Sequence, residues 1–167
     1  MTTPGNPIPP APTRASQFYG YLQTLILCVF AAAVFLAPGR PFFSSGKLVH
    51  LIGTALCAIG LVLLFAALRT IGRSIQIAPQ PRPDATLVTS GIYRWFRHPI
   101  YTAIVLVVAG LFLRKPTLPI GIAAALVIAF LAVKVRLEEK LLAVRYPTYA
   151  EYKSRSWGLL PWPRLRS

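Results

Sequence analysis

Acidic residues are scarce in this chain: Asp and Glu together number 4, against 18 Lys and Arg. Aspartate occurs once, as Asp84, so the sequence offers no basis for a triad of the Ser-His-Asp type. Histidine occurs only as His50 and His98. Because so few acids and histidines are available as ligands, we predict no metal site.

Cysteine is equally rare. Cys28 and Cys57 lie in separate apolar stretches and form no CxxC pair, which argues against a disulfide framework and predicts two buried structural thiols. GxGxxG, P-loop, HExxH and serine-elbow patterns are also missing. None of the common nucleotide-binding or hydrolase motifs therefore indicates a function.

Apolar residues, by contrast, make up 55% of the chain, and only 13% of the residues are charged. The apolar residues form four runs: Phe18–Leu36, Leu48–Leu68, Ile100–Leu113 and Leu118–Val133. The first two reach the ~20 residues needed to cross a bilayer core, and amphipathic flanks extend the other two. This pattern predicts an all-α, multi-pass integral membrane protein, a bundle of four main transmembrane helices.

The positive charges are distributed unevenly. Fourteen of the 18 lysines and arginines lie in the terminal segments and in the 69–99 connection, which four crossings would place on one side of the membrane. The positive-inside rule then puts both termini in the cytoplasm. We expect part of this basic excess to contact membrane lipids. A nucleic-acid partner is not expected, because the cations follow the membrane topology.

The segments outside the apolar runs also differ in character. Residues 1–15 are rich in proline, which predicts a disordered tail, and residues 16–167 are predicted to form a single domain. The 69–99 connection is long enough to suggest a functional loop. The fourth helix is predicted to continue to about Arg145, where Tyr146 and Pro147 should end it.

A first polar cluster, Leu87–Tyr101, combines arginines, a histidine and aromatic rings at the start of the third apolar run. Ionisable groups at the edge of a bilayer are costly and usually mark a site. Pro99 suits the first helical position, which places His98 near the N-cap, where free N–H groups can accept an anion. The alternative is an interface belt of Trp, Tyr and Arg that needs no ligand.

A second polar cluster, Lys134–Tyr152, follows the fourth run. Lys134 and Glu138 share a helical face, and Glu139 is rotated by about 100° toward another neighbour. Glu138 needs a partner, for which Arg97, a ligand hydroxyl and a sulfonium are candidates. The alternative is a solvated helix extension with local ion pairs. We predict that the two clusters meet and hold a cofactor.

These elements together resemble the isoprenylcysteine carboxyl methyltransferase family, in its bacterial type. They run in the order LVTSGIYRWFRHPIY, an apolar hairpin, EEKLLAVRYPTYAEY and LLPW. That family and the related phospholipid methyltransferases are integral membrane enzymes that use S-adenosylmethionine. The resemblance covers roughly residues 76–162.

The resemblance implies a carboxyl O-methyltransferase with S-adenosylmethionine as cofactor and S-adenosylhomocysteine as product. Its pocket would open to the cytoplasm, between the 69–99 loop, the start of the third helix and the C-terminal helical segment. The cofactor-binding residues that the family pattern implies are Gln76, Ala85, Thr86, Leu87, Val88, Tyr93, His98, Pro99, Ile100, Tyr101 and Glu138.

The catalytic candidates are Glu138, Lys134 and Arg136. Glu138 would orient the cofactor, and Lys134 or Arg136 would orient a lipophilic or lipidated acceptor that enters from the bilayer. Lys134 replaces an arginine of the prenyl-cysteine enzymes, and lysine lacks the bidentate fork that matches a carboxylate. Ala103 replaces a usual glycine. The acceptor is therefore left open, and an amine acceptor would need Glu138 or His98 as a base.

Two other classes fit the same sequence. One is an NADPH-dependent membrane reductase related to the sterol reductases, which have a similar C-terminal arrangement. The other is a non-catalytic lipid-binding membrane protein whose clusters only anchor it at the interface. For any of the three, short spans with almost no appended domain suit a bacterial inner membrane.

Overall fold

The computed structural model describes residues 14–36, 39–42, 46–72 and 87–159, with side chains from residue 17 onward. In these ranges the chain is helical and contains no strand, as predicted. The helices are α1 (Arg14–Leu36), α2 (Lys47–Ile71), α3 (Pro99–Arg114), α4 (Leu118–Arg145) and α5 (Tyr149–Arg155), and a 3₁₀ turn at Gly91–Arg94 precedes α3.

Three of these helices are long and apolar enough to cross a membrane: α1, α2 and α4. The third apolar run forms a helix of only 16 residues, about 24 Å long at 1.5 Å per residue, which is less than a ~30 Å bilayer core. Prolines limit it, since Pro99 starts α3 and Pro116 follows its end. Three of the four predicted spans are therefore found, and α3 as a fourth span remains a proposal.

Helices α2 and α3 pack closely through small residues. A Cβ atom added to Gly110 would lie 2.5 Å from the carbonyl oxygen of Gly53 and 2.6 Å from Cys57 Sγ. One added to Gly60 would lie 2.9 Å from the carbonyl oxygen of Ala103. Glycines at such contacts let two helix backbones approach, a common packing mode in membranes. This contact fixes the position of α3, and therefore of the residues at its start.

The buried core lies between α1, α3 and α4. It consists of Phe30, Val108, Ile120, Ala123, Ala124, Val127 and Leu131. Large apolar side chains elsewhere on the helices point outward, as expected where the surroundings are as apolar as leucine. Cys28 is on such an outward face, so its predicted burial was wrong, whereas Cys57 is half-buried against α3.

After α4 the chain turns back along the start of α3. Helix α4 ends at Arg145, and Pro147 separates it from α5, as predicted. Beyond α5, Trp157 pairs with Phe96 in an isolated parallel bridge. The Arg97 N–H donates to the Trp157 carbonyl at 2.8 Å, and the Trp157 N–H donates to the Trp95 carbonyl at 2.7 Å. This pairing holds the segment after α5 beside the first polar cluster.

Candidate functional site

The two polar clusters meet, as predicted. His98 is the N-cap of α3, and Pro99 lies in its first turn. From there Tyr101 Oη donates a 2.6 Å hydrogen bond to Glu138 Oε1 on α4, and His98 Nδ1 lies 3.6 Å from Glu138 Oε2. The rings of His98 and Tyr101 stack with centroids 5.7 Å apart and an interplanar angle of 9°. Because both rings start from the first turn of α3, they approach the same carboxylate.

Glu139 serves a different set of partners. Its carboxylate accepts hydrogen bonds from Arg97 Nε at 2.9 Å and from Lys153 Nζ at 2.7 Å. His98 Nε2 lies 3.6 Å away from it. Arg97 also donates to the Lys153 carbonyl at 3.0 Å and to the Ser156 carbonyl. These bonds join the end of α4 to α5.

Arg97 is therefore not the partner of Glu138, which was one of the three predicted candidates. Arg97 precedes the N-cap and reaches the face of α4 that points to α5, whereas Tyr101 is inside the helix and reaches the neighbouring face. The 100° between adjacent helical positions separates the two carboxylates accordingly. Among the described side chains, the hydroxyl on Glu138 is that of Tyr101.

Lys134 is buried, with a side-chain exposure of 1%. Its ammonium donates to Gln23 Oε1 on α1, lies 3.9 Å from Glu138 Oε1 and sits 5.3 Å from the centre of the Tyr101 ring. Sequence reasoning missed Gln23. The available signal was a glutamine inside an apolar run, since polar residues within membrane spans usually face a partner.

Arg136 is exposed and lies apart from Lys134, in a groove between α4 and α5. The structure thus brings Lys134, and not Arg136, next to Glu138. Lys134 and Arg136 are two positions apart on α4, which corresponds to about 200° around the helix axis. Their side chains therefore point in different directions.

Tyr93 is buried in the 3₁₀ turn, and its carbonyl accepts a 2.6 Å hydrogen bond from Tyr152 Oη. Burial, with smaller contributions from Tyr152 and Glu138, raises the pKa of Tyr93 to about 12. Burial likewise raises the pKa of Tyr152 to about 12. Both phenols therefore stay protonated at neutral pH and can donate hydrogen bonds but cannot act as bases.

The segment before the 3₁₀ turn approaches the end of α2. Gly91 has a φ of +56°, and a Cβ there would lie 2.6 Å from Thr70 Oγ1, so both conformation and space favour glycine. Leu87, Val88 and Ile100 are half-buried. The other cofactor-binding candidates, Gln76, Ala85 and Thr86, lie outside the described residues. Residues 73–86, which would form part of the predicted pocket, therefore lie outside the described residues.

Comparison with known proteins agrees with this geometry. The model of the phospholipid methyltransferase family matches residues 48–149. The chain belongs to that family. The match runs from α2 to the first residue of α5 and includes the first polar cluster and the second as far as Tyr149, whereas α1 and Gln23 precede it. The resemblance inferred from the two motifs is confirmed.

Two curated relatives extend the comparison. The chain is 34% identical over 101 residues to the cobalt-zinc-cadmium resistance protein CzcN of Cupriavidus metallidurans, covering 59% of this chain and 47% of that protein. It is 38% identical over 65 residues to the protein-S-isoprenylcysteine O-methyltransferase of Tribolium castaneum, covering 36% of this chain and 23% of that protein. The chain thus spans less than half the length of each relative. No solved structure matches the chain.

Proposed function

We propose that the protein is an S-adenosylmethionine-dependent methyltransferase that acts on a lipophilic, carboxylate-bearing acceptor of the isoprenylcysteine type. Membership of a methyltransferase family supports the reaction class. The observation that carries the proposal is the meeting of His98, Tyr101 and Glu138 at one end of the helices. A buried carboxylate at the end of membrane-spanning helices is energetically costly, and such ionisable residues usually mark a functional site.

The residues at this site fit the cofactor. Glu138 Oε1 already accepts a hydrogen bond from Tyr101, whereas Glu138 Oε2 lies 3.6 Å from His98 Nδ1. His98 Nε2 is buried and has no hydrogen-bond partner among the described side chains. The carboxylate can therefore accept a ribose hydroxyl or face a sulfonium, and the histidine can contact a bound polar group. When bound, S-adenosylmethionine supplies the methyl group and leaves as S-adenosylhomocysteine.

The side chains around Glu138 act by positioning. Tyr101 fixes one carboxylate oxygen, and Lys134 provides a positive charge on the same side. Holding two reacting groups in the right orientation can account for ~7–11 kcal/mol of a barrier in favourable intramolecular cases. The exposure of His98 is 6% and that of Lys134 is 1%, so both side chains lie in a region from which water is largely excluded, where charges act strongly.

The positive charge of Lys134 beside Glu138 supports an anionic methyl acceptor. A carboxylate acceptor is already an anion at neutral pH, so it would need no general base from the chain to take the methyl group that bound S-adenosylmethionine would supply. Lys134 is the better-supported group to orient this anion, because it is beside Glu138 and Arg136 is not. An acyl or prenyl chain on the acceptor would enter from the bilayer between the helices.

The membrane arrangement is part of this proposal. We place both termini in the cytoplasm, α3 as a fourth, short span, and the protein in a bacterial inner membrane. The site end, defined by Ile71, Pro99 and Arg145, then faces the cytoplasm, where S-adenosylmethionine is made. The basic residues of the chain concentrate at this end, in agreement with the positive-inside rule.

Cofactor binding by purified protein in detergent provides the test. Isothermal titration should show binding of S-adenosylhomocysteine by the wild type and a loss of at least about tenfold in affinity for Glu138→Gln, because one charge-assisted acceptor is removed. Glu151→Gln is the matched control, since Glu151 is exposed and pairs only with Arg155 among the described residues. Binding of NADPH instead would support a reductase, and binding of neither ligand would support a non-catalytic protein.

A further inference from the structure

A groove of about 470 Å³ runs between the last turns of α4 and the helix α5. It is wide open along one side. Basic side chains, one acid, small residues and aromatic rings line it: Arg136, Glu139, Lys140, Ala143, Tyr146, Pro147, Tyr149, Ala150 and Lys153. The methyl transfer proposed above uses none of these residues.

The groove carries positive charge that the described part of the chain does not neutralise. Glu139 is engaged by Arg97 and Lys153 at 2.9 and 2.7 Å. In the described ranges, no carboxylate lies within ion-pair distance of Arg136 or Lys140, because Glu138 faces α3 and Glu151 pairs with Arg155. The shortage of acids noted in the sequence therefore leaves two neighbouring exposed cations that can bind an anion from outside the described part of the chain.

The position of the groove relative to the bilayer indicates which anion this is. Three exposed apolar residues follow one face of α4: Leu126 at 53% exposure, Val133 at 50% and Val144 at 88%. They are separated by seven and eleven residues, which are close to whole numbers of helical turns. Lys140 is one turn before Val144, and Arg136 is one turn before Lys140. In the membrane arrangement proposed above, Leu126 and Val133 would face lipid, and the two cations on the same face would lie at the level of the phospholipid headgroups.

We propose that this groove binds the phosphate group of an anionic membrane phospholipid, with Arg136 and Lys140 as its cationic ligands. The guanidinium supplies a planar fork that matches a phosphate, and the ammonium supplies a compact charge. The acyl chains would lie along Leu126 and Val133, on the bilayer side of the two cations. The lipid would hold the end of α4, and the site on its neighbouring face, at a fixed depth in the membrane. The proposal does not depend on the methyl-transfer reaction.

Native mass spectrometry of the purified protein in detergent, titrated with dioleoylphosphatidylglycerol or dioleoylphosphatidylcholine, tests the site. We expect the wild type to retain the anionic lipid in preference to the zwitterionic one. The double variant Arg136→Gln/Lys140→Gln should bind phosphatidylglycerol at least about tenfold more weakly, since each basic residue near an anionic lipid contributes appreciably to binding. The control Arg69→Gln/Arg155→Gln removes the same charge from exposed positions outside the groove and should bind as the wild type does.

Several results would overturn the proposal. Undiminished lipid binding by the groove variant would show that the lipid lies elsewhere, and an equal loss in the control would show that only total charge matters. Equal binding of phosphatidylcholine by the wild type, or equal stabilisation by soluble glycerol 3-phosphate, would rule out recognition of an anionic lipid. If the double variant fails to fold, Ala143→Phe blocks the groove without removing charge and should give the same loss.

Discussion

Tyr101 donates its hydroxyl to Glu138 at 2.6 Å and thereby joins the first turn of α3 to the last part of α4. The same ring stacks on His98 and faces the Lys134 ammonium. One phenol therefore contacts Glu138, His98 and Lys134. Tyr101 thereby orients the Glu138 carboxylate, which we propose binds the cofactor.

Replacing Tyr101 with Phe should weaken binding of S-adenosylhomocysteine by about tenfold, because a hydrogen bond to a charged group is lost while the ring remains. Isothermal titration in detergent measures the effect, and the thermal midpoint should change little. Tyr21→Phe is the control, since Tyr21 is 75% exposed on α1. Wild-type affinity in Tyr101→Phe would mean that the bond does not orient the cofactor site.

Replacing Glu139 with Gln should destabilise the protein more than it changes cofactor affinity. Arg97 and Lys153 lose their common anion, and we expect a cost of about 2 kcal/mol because these groups are only partly buried. The thermal midpoint, measured at one scan rate, should fall clearly below that of Glu151→Gln. A large loss of cofactor affinity with an unchanged midpoint would place Glu139, too, in the cofactor site.

Gly110→Ala should separate α2 from α3. The added methyl group would overlap the Gly53 carbonyl and Cys57, and overpacking of this kind costs about 1–3 kcal/mol. Because α3 carries His98 and Tyr101, the variant should lose both thermal stability and cofactor affinity. Gly46→Ala, which has nothing within 4 Å of the added methyl, should leave both unchanged. Equal behaviour of the two variants would contradict the close contact.

Alkaline pH should destabilise the fold through its buried tyrosines. The pKa of Tyr93 and that of Tyr152 rise from 10.0 to about 12 on folding. Since the folded state favours the protonated phenol, this contribution to stability is complete below pH 10 and is lost as the pH rises toward 12. The tyrosinate absorbance of the wild type should contain a late phase that Tyr93→Phe reduces. A wild type without such a phase would show that these rings are open to solvent.

The sequence predicted the parts of the fold that depend on local chemistry. Proline starts α3 after its N-cap His98, and the Tyr146-Pro147 pair ends α4, because proline limits the conformation of its own residue and of the preceding one. The meeting of the two clusters could be predicted because antiparallel neighbours bring the start of α3 to the end of α4.

The choice of partners could not be predicted in the same way. Glu138 and Glu139 are adjacent, and which of them receives Arg97 depends on how α4 is rotated against α3 and α5. The bond from Lys134 to Gln23 joins residues 111 positions apart, and it depends on how α1 packs on α4. The amphipathic flank predicted for the fourth run extends α4 to Arg145, whereas no such flank extends α3, because prolines limit it at both ends.

The bridge between Phe96 and Trp157 bears on how the protein is made. Tyr93 and Tyr152, which are joined by a hydrogen bond next to that bridge, are 59 residues apart. The HPIY segment therefore leaves the ribosome well before the segment around Trp157 has been made, and the start of α3 stays uncovered on that side until α5 and the residues after it have been translated. A nascent chain halted after α4 would carry the first signature motif and the EEKLLAVR half of the second, and would still lack the closing segment that pairs with the first.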